Sequence, residues 1–241
     1  MSIWLRELAT GKESRVADSP FVQHLPVINA SGSRIAFSSY ENGKRLVYVS
    51  TPGGTPEKLC EGCLRATDWS HDEKTLLVFG GSPFQVDALD VASHRQTALL
   101  KHSTYNLCYG RFSPDNRWVN FLARTQPNRA LIMIAPIDGP WPVPESAWIQ
   151  IAEEGPLDWT NWSPDGKTIY FTSWRDGHRC TWGQQIDAAS HRPMGGAFAV
   201  QHFHGIALLL EDGFSAASGR IAMALAEPTD NIWMMSRSGA R

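Results

Sequence analysis

No stretch of this sequence approaches the run of about eighteen apolar residues that a membrane helix needs, so no membrane insertion is expected. The start, Met1-Ser-Ile-Trp, lacks the charged opening and apolar stretch of a signal peptide. An excess of charge of either sign is missing as well. With 22 Lys and Arg against 24 Asp and Glu, a formal net charge of −2 and no basic stripe, nucleic acid is not an expected partner. Cysteine is sparse: of four, only Cys60 and Cys63 are close together. Their spacing is half of a zinc knuckle or a redox pair, but a second pair is missing, and Cys108 and Cys180 stand far off. A local disulfide or plain thiols are the alternatives.

Signatures of catalysis are wanting too. A serine hydrolase needs a Gly-x-Ser-x-Gly elbow between strand and helix. The nearest stretch, Gly213-Phe-Ser215-Ala-Ala, lacks the second glycine, and the chain has no room for a hydrolase domain. Gly166-Lys167-Thr168 ends like a phosphate-binding loop, but the leading glycine is absent and the stretch runs into a strand pattern rather than a helix. No nucleophile, base and oxyanion set can be assembled, so no catalytic residue and no cofactor is expected.

What the sequence does have is a repeat. "NWSPDGKTIYF" from Asn161 is turn followed by strand: a proline with preset φ, an Asp that can bond its own backbone and a Gly that tolerates positive φ, then a β-branched and aromatic run. The same grammar returns in "FSPDNRWVNF" from Phe112, "WSHDEKTLLVF" from Trp69, "FSAASGRIAMA" from Phe214 and, more faintly, "INASGSRIAF" from Ile28. Each time an apolar anchor precedes an apolar strand residue by seven positions: Ile28 and Ile35, Trp69 and Leu76, Phe112 and Val119, Trp162 and Ile169, Phe214 and Ile221. Successive anchors are 41, 43, 50 and 52 residues apart, at or just beyond the spacing of propeller blades. A second strand, a polar loop, a third strand and usually a fourth apolar segment follow each anchor, with no helical pattern between them.

The expected fold is therefore all-β: a β-propeller of four-stranded antiparallel blades, five or six in number. One domain spans 1–241, with a partial blade over 1–20 and repeats at about 21–60, 61–103, 104–153, 154–205 and 206–241. "SIWLRELATGKESRVA" matches the third and fourth strands of a unit, and "NIWMMSRSGAR" stops after a third strand. The chain is thus expected to start and end in mid-blade. Either the two ends pair to close a ring, or the chain is part of a longer polypeptide, or a shortened relative, whose ring two more strands would complete; the second is the expectation.

Trp162-Ser-Pro-Asp-Gly-Lys-Thr-Ile-Tyr-Phe-Thr-Ser-Trp-Arg-Asp-Gly resembles the PD40, or WD40-like, repeat of the TolB C-terminal domain. The likeness runs along nearly the whole chain, with the units at Trp162 and Phe112 the most specific. The resemblance implies that Ser163 and Asp165 hold a turn. It implies a bacterial, non-catalytic protein-interaction or ligand-sensing module, whose partner is another protein or a domain of a longer parent chain. The compartment would be periplasmic if the chain belongs to a TolB-like exported protein. Polysaccharide lyases on a related propeller use histidines and a divalent metal, so the alternative is a metal-dependent carbohydrate-active enzyme using His202 and His204. Residues two apart on a strand share a face, and His24, His102 and His178 are conceivable third ligands; paired surface histidines are the plainer reading, and no metal site is assigned. Loops on a rigid ring carry variable contacts, so Trp141 and Trp148 in the Pro-rich insertion, and Trp174, Arg175, Asp176 and His178 in the loop after the second strand, are the candidates for a binding surface. Trp4, Trp69, Trp118, Trp162 and Trp233 are expected to pack.

Overall fold

The computed structural model describes residues 3–6, 10–16, 22–202, 209–217 and 220–226. The first strands, β1 (Trp4–Arg6) and β2 (Glu13–Arg15), make an antiparallel hairpin. Four complete blades follow. The first is β3 (Val22–Ile28), β4 (Ile35–Glu41), β5 (Lys44–Ser50) and β6 (Glu57–Glu61). The second is β7 (Cys63–Trp69), β8 (Thr75–Gly81), β9 (Phe84–Asp90) and β10 (Gln96–Leu100). The third is β11 (Asn106–Phe112), β12 (Trp118–Gln126), β13 (Arg129–Pro136) and β14 (Ile149–Gly155). The fourth is β15 (Leu157–Trp162), β16 (Thr168–Ser173), β17 (Cys180–Ile186) and β18 (Pro193–Gln201). A last hairpin joins β19 (Leu209–Ala217) to β20 (Arg220–Ala226). Within each blade the strands pair in chain order, all antiparallel.

The first strands of successive blades touch one another, β3 to β7, β7 to β11, β11 to β15 and β15 to β19, which makes them the inner strands of a propeller. Second strands are packed by neighbouring blades on both faces. They therefore read as continuous apolar runs instead of alternating, as in β8, where Leu76, Leu77, Val78 and Phe79 are all buried. At the outer edge β18 is mostly exposed.

The seven-residue spacing is a hairpin register. Ile28 pairs with Ile35, Trp69 with Leu76, Phe112 with Val119 and Trp162 with Ile169. In the fifth unit the turn lacks Pro and Asp, pairing runs on to Ala217 and Arg220, and Phe214 faces Met223 rather than Ile221. The anchors bind blades to one another. Trp69 Nε1–H donates to the Val27 carbonyl (3.0 Å) and Trp162 Nε1–H to the Arg111 carbonyl (3.2 Å), in each case the residue just before the preceding unit's anchor. Where the anchor is Phe112, which has no donor, the Arg111 guanidinium reaches the Thr67 carbonyl and the Phe112 amide donates to Asp68 Oδ2 at 2.9 Å. Burial pushes the Asp68 carboxyl up, although Arg111 and two backbone amides pull the other way.

The expectation that Trp4 packs needs correction, and the first unit's anchor differs from the others. Ile28 is 51% exposed, unlike the buried Trp69 and Trp162, and Trp4 is 61% exposed. In the β1–β2 hairpin it is Ile3 and Val16 that point inward, onto Ile35 and Phe37, because Trp4 lies on the opposite side of a strand whose side chains alternate. Among the described residues the two hairpins are separate sheets with no pairing between them. The expected strand "NIWMMS", with Trp233, lies outside the described residues. Among those described, no helix is long and apolar enough to cross a membrane.

Candidate functional site

The Ser-x-Asp stretches are turns. Ser163 Oγ donates to Asp165 Oδ1 (2.6 Å) and accepts from the Thr168 amide (2.9 Å), while Asp165 Oδ1 also takes the Lys167 amide (3.1 Å). Ser113 with Asp115 repeats this at 2.6, 2.9 and 3.1 Å, and Ser70 with Asp72 at 2.7, 2.9 and 3.2 Å. In the first blade Asn29 Oδ1 takes the Arg34 amide instead. The following residue is left-handed in all four, Gly32, Glu73, Asn116 and Gly166, which is why glycine or asparagine suits it. Glu73 pays back its strained backbone by reaching across to the first blade, where its carboxylate accepts from the Ser31 amide and from Asn29 Nδ2, each at 2.7 Å.

The expected binding surface falls in two places. Trp141 and Trp148 belong to the 137–148 insertion, which leaves β13 at the Ser-x-Asp end of the third blade. The insertion is a strap along the outer strand of the second: the Val143 amide donates to the Leu99 carbonyl, and Glu145 lies 3.6 Å from His102 Nε2. Trp148 packs edge-on against Phe121 at 4.9 Å. Trp141 is exposed and donates to the Ile137 carbonyl at 3.1 Å.

Trp174, Arg175, Asp176 and His178 lie at the other end, between β16 and β17. Trp174 is 40% exposed under the Arg179 guanidinium at 5.0 Å. Arg175 covers Phe171 and Trp182, Asp176 Oδ2 is 3.0 Å from His202 Nδ1, and the His178 amide donates to Asp176 Oδ1 at 3.3 Å. His204 lies outside the described residues, as does the side chain of His24. His102 is engaged locally, stacked on Tyr105 and accepting the Thr104 and Tyr105 amides at Nδ1. Cys60 and Cys63 form a disulfide, so the half zinc site suggested by their spacing is not made.

Beside Trp174 opens a cleft of about 230 Å³ lined by Arg124, Asn128, Pro156, Leu157 and Asp158. Asp158 holds two guanidiniums, Arg124 at 2.9 Å and Arg179 at 3.4 Å. Arg65 extends the group from the second blade, over Tyr109 (5.3 Å) and Trp159 (5.6 Å), whose rings are 4.7 Å apart. Burial pushes the Tyr109 hydroxyl up and the neighbouring Cys108 thiol up to about 11. Tyr109 and Trp159 both have positive φ, 58° and 34°, at breaks in register of their inner strands, as does Leu25 (55°) at the matching break in β3, so the bulge recurs along the fold and what is particular here is the pair of aromatic side chains it aims. Bulky residues avoid that region, and such bulges re-aim side chains beside functional sites. Sequence reading passed over Arg65, Tyr109, Arg124, Asp158, Trp159 and Arg179. The signal that was there is a charged residue in an inner strand otherwise meant for packing: Arg65, Asp68, Arg111 and Asp158.

No protein-family model and no curated protein matches this sequence. Solved structures do. A putative TolB from Agrobacterium tumefaciens is 21% identical, with a TM-score of 0.65 over 81% of this chain and 72% of that one. TolB from Acinetobacter baumannii is 14% identical, TM-score 0.67, over 94% of this chain and 57% of that one. The tricorn protease is 14% identical, TM-score 0.67, over 93% of this chain and 22% of that one. The chain thus spans little more than half of the second and under a quarter of the third. Blades, inner-strand contacts and these likenesses agree on one architecture, a TolB-like β-propeller.

Proposed function

We propose that the chain is a non-catalytic interaction module that takes a segment of another protein at the Trp174 end of the third and fourth blades. The observation that carries this is the pair of left-handed inner-strand residues, Tyr109 and Trp159, turned toward Arg65 next to the Arg124–Asp158–Arg179 cluster. The bulge itself recurs at Leu25 in the first blade, so what supports the reading is that here it carries aromatic rings against arginines. Proteins named as TolB and as a protease share the fold, so the fold alone does not choose a chemistry. Partly buried aromatic and arginine side chains around a cleft are the composition of binding hot spots. Four arginines, Arg65, Arg124, Arg175 and Arg179, against Asp158 and Asp176 favour an acidic segment with an aromatic side chain.

The test is a binding screen of the purified protein against arrayed peptides of graded charge, followed by titration of the peptides retained. Acidic, aromatic peptides should be held, and Trp174→Ala should weaken them at least tenfold with the fold intact, since that ring is 40% exposed and lies in a loop outside the blade core. Retention that ignores both peptide charge and Trp174→Ala would overturn the reading, as would turnover of any retained peptide.

A further inference from the structure

The rim of the fourth blade brings together three side chains of different donor type. Asp176 sits in the loop between β16 and β17, Cys180 opens β17, and His202 directly follows β18. One ligand atom from each lies within 4.8 Å of the other two. We propose that Asp176, Cys180 and His202 bind a zinc ion, through carboxylate, thiolate and imidazole. The proposal stands independently of the peptide-binding role.

The donor set is what zinc takes, soft sulfur with imidazole nitrogen and carboxylate oxygen. In a tetrahedral site with bonds of about 2.0–2.3 Å, neighbouring ligand atoms are roughly 3.3–3.8 Å apart. Asp176 Oδ2 and His202 Nδ1, at 3.0 Å, are already near that separation. The remaining approach of the sulfur is an ångström or so, within the reach of rotamer changes at the exposed His202 and the half-buried Asp176.

Each ligand is held by its element. Cys180 is buried and paired in register with Ser173. The loop folds back through Gly177, left-handed at φ 89°, whose amide donates to the Trp174 carbonyl at 2.9 Å. The His202 ring stands edge-on to Trp182 at 5.2 Å and 83°. A divalent ion with one thiolate and one carboxylate is formally neutral, which makes the buried sulfur a tolerable ligand. Binding displaces the thiol proton of Cys180 and replaces the direct contact between Asp176 and His202. The fourth position is left to water. The ion would clip the loop between β16 and β17 to the end of β18, where Gln201 already pairs with Thr181, in place of the direct contact between Asp176 and His202.

The experiment uses the purified chain without an affinity tag or reductant, stripped with chelator and titrated with zinc, then with cobalt as a spectroscopic stand-in. One equivalent should bind, and the cobalt form should show a thiolate-to-metal charge-transfer band. His202→Ala should lower zinc affinity more than about 100-fold, beyond the 10–100-fold cost of losing an outer-shell partner, and Cys180→Ser should abolish the band. His102→Ala, at the histidine beside Glu145, should change nothing. Because Cys180 is buried and its variant can lose the fold, the wild-type cobalt spectrum and the exposed His202 variant decide the matter. Absence of a charge-transfer band in the wild type, or unchanged zinc affinity in His202→Ala, overturns the proposal.

Discussion

Replacing Ser163 with alanine separates a turn from a reactive centre. The Ser163 hydroxyl makes two bonds, one donated to Asp165 and one accepted from the Thr168 amide. Ser163 itself is only 4% exposed, so the Thr168 amide would face a methyl group in place of its acceptor. A neutral hydrogen bond contributes about 1 kcal/mol, and a buried donor left unmade costs about 1–3 kcal/mol. Asp165 is exposed and regains water, so the bond to it adds at most a few tenths after screening. The expected loss is about 2 kcal/mol. With a urea slope of about 2–3 kcal/mol/M, the unfolding midpoint should fall by about 0.7–1 M at unchanged slope. Ser113→Ala and Ser70→Ala remove the same pair of bonds in other blades and should cost the same, an internal control that a catalytic serine would not obey. If Ser163→Ala leaves the midpoint within about 0.2 M of wild type while the other two fall, the turn account is wrong and Ser163 has a separate role.

Trp162→Phe should cost about 1–2 kcal/mol in the same unfolding assay, by leaving the Arg111 carbonyl without its indole donor; no loss would mean that water or another donor takes over. The Ser163 hydroxyl first, then the Lys167 amide, hold the Asp165 carboxyl below its ordinary range, and Ser70 and the Lys74 amide do the same for Asp72. Depressed carboxylates stabilise the fold above their unfolded value, near pH 4, and lose that contribution as pH falls through the lower folded value. The Ser70→Ala and Ser163→Ala variants should therefore lose stability less steeply below about pH 4 than wild type, as read from midpoints across pH; a parallel fall would sink the linkage. Burial holds the Cys108 thiol at about 11, so Cys108 should resist alkylation at pH 8 in the native protein. Unfolding without reductant should expose two thiols, Cys108 and Cys180, and reduction all four cysteines; rapid native labelling of Cys108 would contradict its burial.

The fold was legible because its turns carry their own chemistry. Ser, Asp and a residue tolerant of positive φ set a hairpin length that puts Trp162 opposite Ile169, and the second strands "TLLVFGG" and "RIAMALA" coincide with β8 and β20. The same logic slipped at Phe214, where pairing runs on to Ala217 and Arg220, whereas the first unit, also without Pro or Asp, keeps its register with Asn29 taking the Arg34 amide. The candidate site was half legible. Trp174 to His178 stand out locally as an aromatic and charged loop, and the structure adds His202 to them. The Arg65, Tyr109 and Trp159 group was not, because three residues from three blades meet only through inner-strand bulges that leave no composition mark. Trp148 misled in the opposite direction: a tryptophan in a Pro-rich insertion reads as surface, yet it packs on Phe121 inside a strap.

The indole bonds between blades have a consequence for synthesis. Val27 waits for Trp69, 42 residues later, and Arg111 waits for Trp162, 51 residues later. At about 5–20 residues per second that interval is about 2–10 s. A blade emerging from the ribosome can form its own hairpins at once, but its flank stays open until the next anchor arrives. The growing chain therefore always carries one unfinished face, always the most recent, and each new anchor seals the blade before it.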